Sequence, residues 1–93
     1  MELKNIKIED ESLELIKGLK DSFKIHVGVI SDAVILTIRT KGKNDQYVTE
    51  VILSQNSENE EFSFNSFEKK TLNKLSHKRE NAKLVANYLE SIL

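Results

Sequence analysis

The chain contains no cysteine, no proline and no tryptophan, and it has only three glycines in 93 residues. Without cysteine there can be no disulfide framework, no Cys-bearing zinc site, no iron–sulfur cluster and no thiol nucleophile. Its longest apolar run, Ala33 to Leu36, is far short of the ~20 residues that a membrane-spanning helix needs. The opening Met-Glu-Leu-Lys-Asn lacks the basic-then-apolar order of a signal peptide. A cytoplasmic location is therefore the expectation. Gly18, Gly28 and Gly42 are isolated from one another, so no phosphate-cradling loop is present, and no serine sits in a nucleophile elbow. His26 and His77, the only histidines, have no carboxylate at the spacing of a metal site or an acid–base dyad. These absences predict a protein that is not an enzyme and carries no cofactor or metal.

What is present suits one small domain: apolar residues make up 39% and charged residues 31%, and the apolar ones recur in ordered patterns. The net charge of −1 conceals an asymmetry. Residues 1–66 hold eight Lys/Arg against twelve Asp/Glu, while residues 67–93 hold six against three.

Residues 9–20 read as a short helix, with Asp10 or Ser12 as N-cap, Leu15, Ile16 and Leu19 on one face, and Gly18 as a weak point that can end it early. Phe23, Ile25, Val27 and Val29 then alternate with Lys24, His26 and Gly28, the period of a strand. A tight turn at Ser31-Asp32 sets Val29 against Val34, Val27 against Leu36 and Ile25 against Ile38. A second turn between Lys41 and Gln46 sets Thr40 against Tyr47, Ile38 against Thr49, Leu36 against Val51 and Val34 against Leu53. Both registers place their apolar residues on the same face, and a slip of one residue in either would turn that set toward water.

Beyond the polar stretch Gln55 to Glu61, Phe62 and Phe64 predict a short fourth strand. Asn65 with Glu68 has the spacing of a capping box for a helix through Leu72 and Leu75. Ala82, Val85, Ala86, Leu89 and Leu93 form the apolar stripe of a helix over 79–93. Ser76-His77 marks either a break between two helices or a bend within one. The expected fold is α+β: an antiparallel three- to four-stranded meander, with an N-terminal helix and one or two C-terminal helices packed on one face.

Helices on one face leave the other open. That second face carries Ile30, Ile35, Val48 and Ile52 among charged and polar residues, a mixture typical of interface cores and rims. The bland alternative is that β-branched residues simply favour strands. The candidate protein-binding residues are Arg39, Tyr47, Val48, Glu50 and Ile52, joined by the acidic Glu58, Glu60 and Glu61. A separate basic set, Lys70, Lys74, Lys78, Arg79 and Lys83, would contact phosphates if the chain bound nucleic acid. Its bland alternative is the solvated side of an amphipathic helix.

The layout of helix, three strands and helix resembles that of small Cas9-blocking anti-CRISPR proteins, and Ile38-Arg39 with Tyr47-Val48-Thr49-Glu50 is similar to the second hairpin of one of them. That resemblance implies an inhibitor of the kind phages and mobile elements carry, acting by occluding a larger protein such as a bacterial defence nuclease. Those inhibitors are rich in exposed carboxylates, whereas this chain is nearly neutral. The same layout also resembles double-stranded-RNA-binding domains, with Lys78-Arg79, Ala82-Lys83, Ala86 and Leu89 similar to the start of their last helix. Here a long insertion from Gln55 to His77 replaces that family's glycine-rich approach to its lysine pair. The leading expectation is thus a non-enzymatic protein-binding domain, the alternative a nucleic-acid-binding module. A homodimer joined by edge strands is a third reading.

Overall fold

The computed structural model describes residues 2–3, 6–56, 60–64 and 76–93, with side chains from residue 6 onward and, in the last stretch, from residue 79. Among these residues the elements run β1 (Glu2–Leu3), β2 (Ile6–Ile8), α1 (Asp10–Ser22), β3 (Phe23–Ile30), β4 (Ala33–Thr40), β5 (Tyr47–Gln55), β6 (Glu61–Ser63) and α2 (Ser76–Ile92). The strands make a single sheet in the order β1-β2-β6-β5-β4-β3. Neighbours are antiparallel except β2 and β6, which run parallel.

The α+β class and the central meander agree with expectation, but the sheet is mixed and wider than a three- or four-stranded antiparallel meander. The additional strands are β1 and β2, for which the sequence pattern predicts no element. Ile6-Lys7-Ile8 has the right alternation, and both isoleucines are buried, yet three residues are too few to stand out. The partner of β2 is β6, far along the chain, with Lys7 opposite Glu61 and Ile8 opposite Phe62. The expected helix from Ser66 through Leu75, and whether it joins α2, lie outside the described residues.

In the first hairpin the register is the expected one along its whole length, from Phe23 opposite Thr40 to Ile30 opposite Ala33. Its two-residue turn has φ of 57° at Ser31, the left-handed geometry that hairpin turns demand and that glycine adopts most readily. The guanidinium of Arg79 donates to the Ser31 carbonyl at 3.1 Å, so the start of α2 is tied to this turn.

The N-cap position of α1 is Glu9, not Asp10 or Ser12 as the sequence suggested. Pairing with β6 sets this start: the Glu9 N–H donates to the Phe62 carbonyl at 2.8 Å, and the Glu9 carbonyl then accepts from Leu13 N–H at 3.0 Å. Ser12 is buried instead, donating to Glu9 Oε1 at 2.7 Å and accepting from the Phe64 N–H at 3.3 Å. Gly18 faces solvent and does not end the helix, which continues to Ser22. Thirteen residues give α1 a length of about 20 Å. Four inter-strand steps of about 4.8 Å separate β2 from β3 across the sheet. The helix therefore has the length needed to cross from one strand to the other.

Both helices lie on the same face. Leu13 and Ile16 of α1 and Ala82, Val85, Ala86 and Leu89 of α2 share one buried cluster with Ile6, Ile8, Val34, Leu36, Ile38, Leu53 and Phe62. The Lys20 ammonium donates to the Ile92 carbonyl at 2.9 Å, a cation at the negative end of α2.

Phe62 is fully buried and sits where β2, β6 and β5 meet. Phe62→Ala should cost about 3–5 kcal/mol, measured by urea unfolding. A loss below ~1 kcal/mol would show that the parallel strand pair is peripheral to the fold.

Candidate protein-binding face

Residues directly opposed in a ladder point to the same side, so the sheet face away from the cluster can be read in rows across β3, β4 and β5. Ile30 and Ala33 form the row beside the first turn. Gly28, Ile35 and Ile52 form the next, followed by His26, Thr37 and Glu50. Lys24, Arg39 and Tyr47 form the last. Among the described residues neither helix covers this face. Ile30 is 64% exposed, Tyr47 56%, Val48 45% and Ile52 37%, while Ile35 is only 9% exposed on the central strand. The surface is thus a polar row, His26-Thr37-Glu50, with the apolar Ile35 and Ile52 on one side and Tyr47 beside Lys24 and Arg39 on the other, rather than one continuous apolar patch.

The second hairpin follows the expected register from Val34 opposite Leu53 to Ile38 opposite Thr49, and then shifts. Tyr47 lies opposite Arg39 instead of Thr40, leaving Val48 as the extra residue of a β-bulge. The expected pairing of Lys41 with Gln46 is likewise displaced, with Thr40 N–H donating to the Gln46 carbonyl at 2.8 Å and Gln46 N–H to Thr40 Oγ1 at 2.8 Å. An unbroken ladder would have turned Tyr47 to the helix-covered side. The bulge puts Tyr47 and Val48 together on the open side.

Asp45 organises this end of the sheet. Arg39 Nε donates to Asp45 Oδ1 at 3.1 Å and Arg39 Nη2 donates to the Asp45 carbonyl at 2.9 Å. Lys24 Nζ lies 3.3 Å from Asp45 Oδ2. Asp45 itself has φ of 38° and Gly42 φ of 101°, two left-handed residues that fold the loop back tightly. The hydrogen bond from Lys24, followed by that from Arg39, holds the Asp45 carboxyl below its ordinary value of 3.8. Arg39 is thereby engaged with its own loop, in the row it shares with Tyr47. The sequence reading missed Asp45, whose signal was a lone acid among Lys41, Lys43 and Arg39.

The acidic candidates belong elsewhere. Glu60 has φ of 58°, donates its N–H to the Asn56 carbonyl at 2.8 Å and accepts at its own carbonyl from Gln55 Nε2 at 3.0 Å. Glu61 lies in β6 opposite Lys7, and Glu58 is outside the described residues. Gln55 and Tyr47 are at opposite ends of β5, roughly 27 Å apart at the usual strand rise. Glu60 and Glu61 therefore lie toward the end of β5 opposite Tyr47.

Of the basic candidates, Lys70 and Lys74 lie outside the described residues, as does the side chain of Lys78. Arg79 holds the Ser31 carbonyl, and Lys83 lies 3.5 Å from Glu80. Among the described residues no group of acids and histidines could hold a metal, and no helix is long and apolar enough to cross a membrane. No protein-family model, curated protein or solved structure matches the chain. A functional reading must therefore start from this surface itself.

Because the Asp45 carboxyl titrates below its unfolded value, its contribution to stability is present above pH 3.8 and is lost as the pH falls through the folded value. Asp45→Asn should be less stable than the parent at neutral pH, and the gap should close well below pH 3.8, followed by urea unfolding at each pH. A gap unchanged in acid would mean that the carboxylate charge has no part in holding the loop.

Proposed function

We propose that this protein is a non-enzymatic binding domain that docks its uncovered sheet face against a larger protein and so occludes a surface on it. The observation that carries this reading is the bulge at Val48, which sets Tyr47, the most exposed aromatic among the described residues, beside Val48 and above the Arg39–Asp45 clamp. Interface anchors are typically aromatic, and a Tyr presents a large area with little rotamer freedom to lose. Ile52 and Ile30 supply a second apolar contact beyond the polar row, while Glu50, Thr37 and His26 give directional polar contacts between the two. A binding surface composed this way selects a partner that offers an apolar patch to Ile30 and Ile52 and a pocket for one aromatic ring across a polar strip.

The similarity in layout to Cas9-blocking inhibitors makes an RNA-guided nuclease the first partner to try, with steric block as the mode of action. This chain's near-neutral charge favours a protein-to-protein block over mimicry of nucleic acid.

The test compares the parent with Tyr47→Ala and Ile52→Asp, two exposed substitutions that leave the core untouched. Tyr47→Ala should weaken partner binding by about 2 kcal/mol, a roughly thirty-fold rise in Kd. Any suppression of target cleavage by the parent should be relieved by either change. Partner binding that survives both changes would place the binding surface elsewhere on the molecule.

A further inference from the structure

The two edges of the sheet are handled differently. Proteins blunt exposed edges with short strands, prolines, bulges, inward charges or a covering element. β1 is two residues long. β3 runs eight residues in unbroken register, contains no left-handed residue, and carries one Lys and no Asp, Glu or Arg. It pairs only with β4, and among the described residues the only other backbone bond at the strand is the Phe23 N–H to the Leu19 carbonyl that caps α1.

Which groups face outward follows from the hairpin. Across a two-residue turn, Ile30 and Ala33 are the first hydrogen-bonded pair. Even-numbered residues of β3 therefore bond β4, and Phe23, Ile25, Val27 and Val29 aim their backbone groups away from the sheet. Their side chains share the helix-covered face, yet remain partly exposed, whereas Val34, Leu36 and Ile38 on the adjacent strand are 0%, 0% and 2% exposed. Among the described residues this edge is largely apolar, regular in register and incompletely covered.

We infer that two copies of this protein join through β3, antiparallel across a two-fold axis normal to the sheet, with His26 facing the His26 of the second copy. Outward groups can bond only outward groups, so odd residues must oppose odd residues. Two registers overlap well, one centred on His26 and one on Val27, and they offer equal numbers of bonds once the occupied Phe23 N–H is set aside. Side chains decide between them. Centred on His26, Phe23 meets the second copy's Val29, Ile25 meets its Val27, and Lys24 meets Gly28. Centred on Val27, Phe23 meets Ser31, a turn residue with φ of 57° that cannot extend the ladder. Phe23, Ile25 and Leu93 are the apolar members of an open groove of about 340 Å³ at the foot of β3, lined also by Lys20, Lys24 and Lys41, beside which the second copy's Val27 and Val29 are placed. The joined sheet keeps all helices on one side and runs the two open faces together at His26.

The absence of native cysteine makes the register testable. Pairs without mutual hydrogen bonds bring Cα atoms to about 4.5 Å, within disulfide range. His26 is exposed, so His26→Cys leaves the core intact, and Gly28 has open space where a new Cβ would go. Sedimentation of the parent should show a species of twice 10.7 kDa that grows with concentration. Under mild oxidation His26→Cys should cross-link, Lys24→Cys and Gly28→Cys alone should not, and a mixture of those two should. A parent that stays at the monomer mass up to ~1 mM overturns the proposal. So does a dimer in which His26→Cys fails to cross-link.

Discussion

One-sidedness is the constraint on which this structure depends. Alternation along β3, β4 and β5 sends Val27, Leu36 and Val51 to one side in a single row, and that side is where both helices pack. Once the apolar residues of three neighbouring strands are committed to one surface, every covering element has to lie there. α1 accordingly passes directly from β2 to β3, and α2 lies over β3 and β4, its first turns tied to the Ser31 carbonyl and its last to Lys20. The opposite surface is left with the residues that alternation placed there.

Those residues become a surface with a definite profile because of a local irregularity. Asp45 draws Lys24 and Arg39 together at one end of the sheet, and the loop between Lys41 and Gln46 closes around that contact with two left-handed residues. The strand that follows takes up one surplus residue, Val48. A clamp of side chains and a bulge of backbone thus act together, the first holding the loop while the second presents Tyr47.

Much of this was legible in the sequence. The alternation from Phe23 to Val29 and the pairings through Ser31-Asp32 appear in the structure as read, and so do Ala82, Val85, Ala86 and Leu89 of the C-terminal stripe, whereas its last member, Leu93, falls just past the end of α2. These signals are strong because a one-residue error would bury charge or expose a whole apolar set. The bulge was not legible, since the surplus residue falls in a loop-proximal stretch where Tyr47, Val48 and Thr49 are all exposed and no burial penalty marks the shift. β1 and β2 escape for a different reason: β2 pairs with Glu61 and Phe62 far along the chain, a contact that no local window contains, and β1 pairs only with β2. The N-cap was misplaced because pairing with β6, rather than a capping side chain, sets where α1 begins.

The surplus residue in β5 makes the count of residues there matter more than their identity. Removing Val48 leaves a regular ladder with Tyr47 still opposite Arg39 on the open side, but without the kink and the second exposed side chain beside it, whereas exchanging Val48 for another β-branched residue keeps both. Sequence drift in this stretch is accordingly free in composition and restricted in length, the reverse of the latitude usually granted to a segment next to a surface loop.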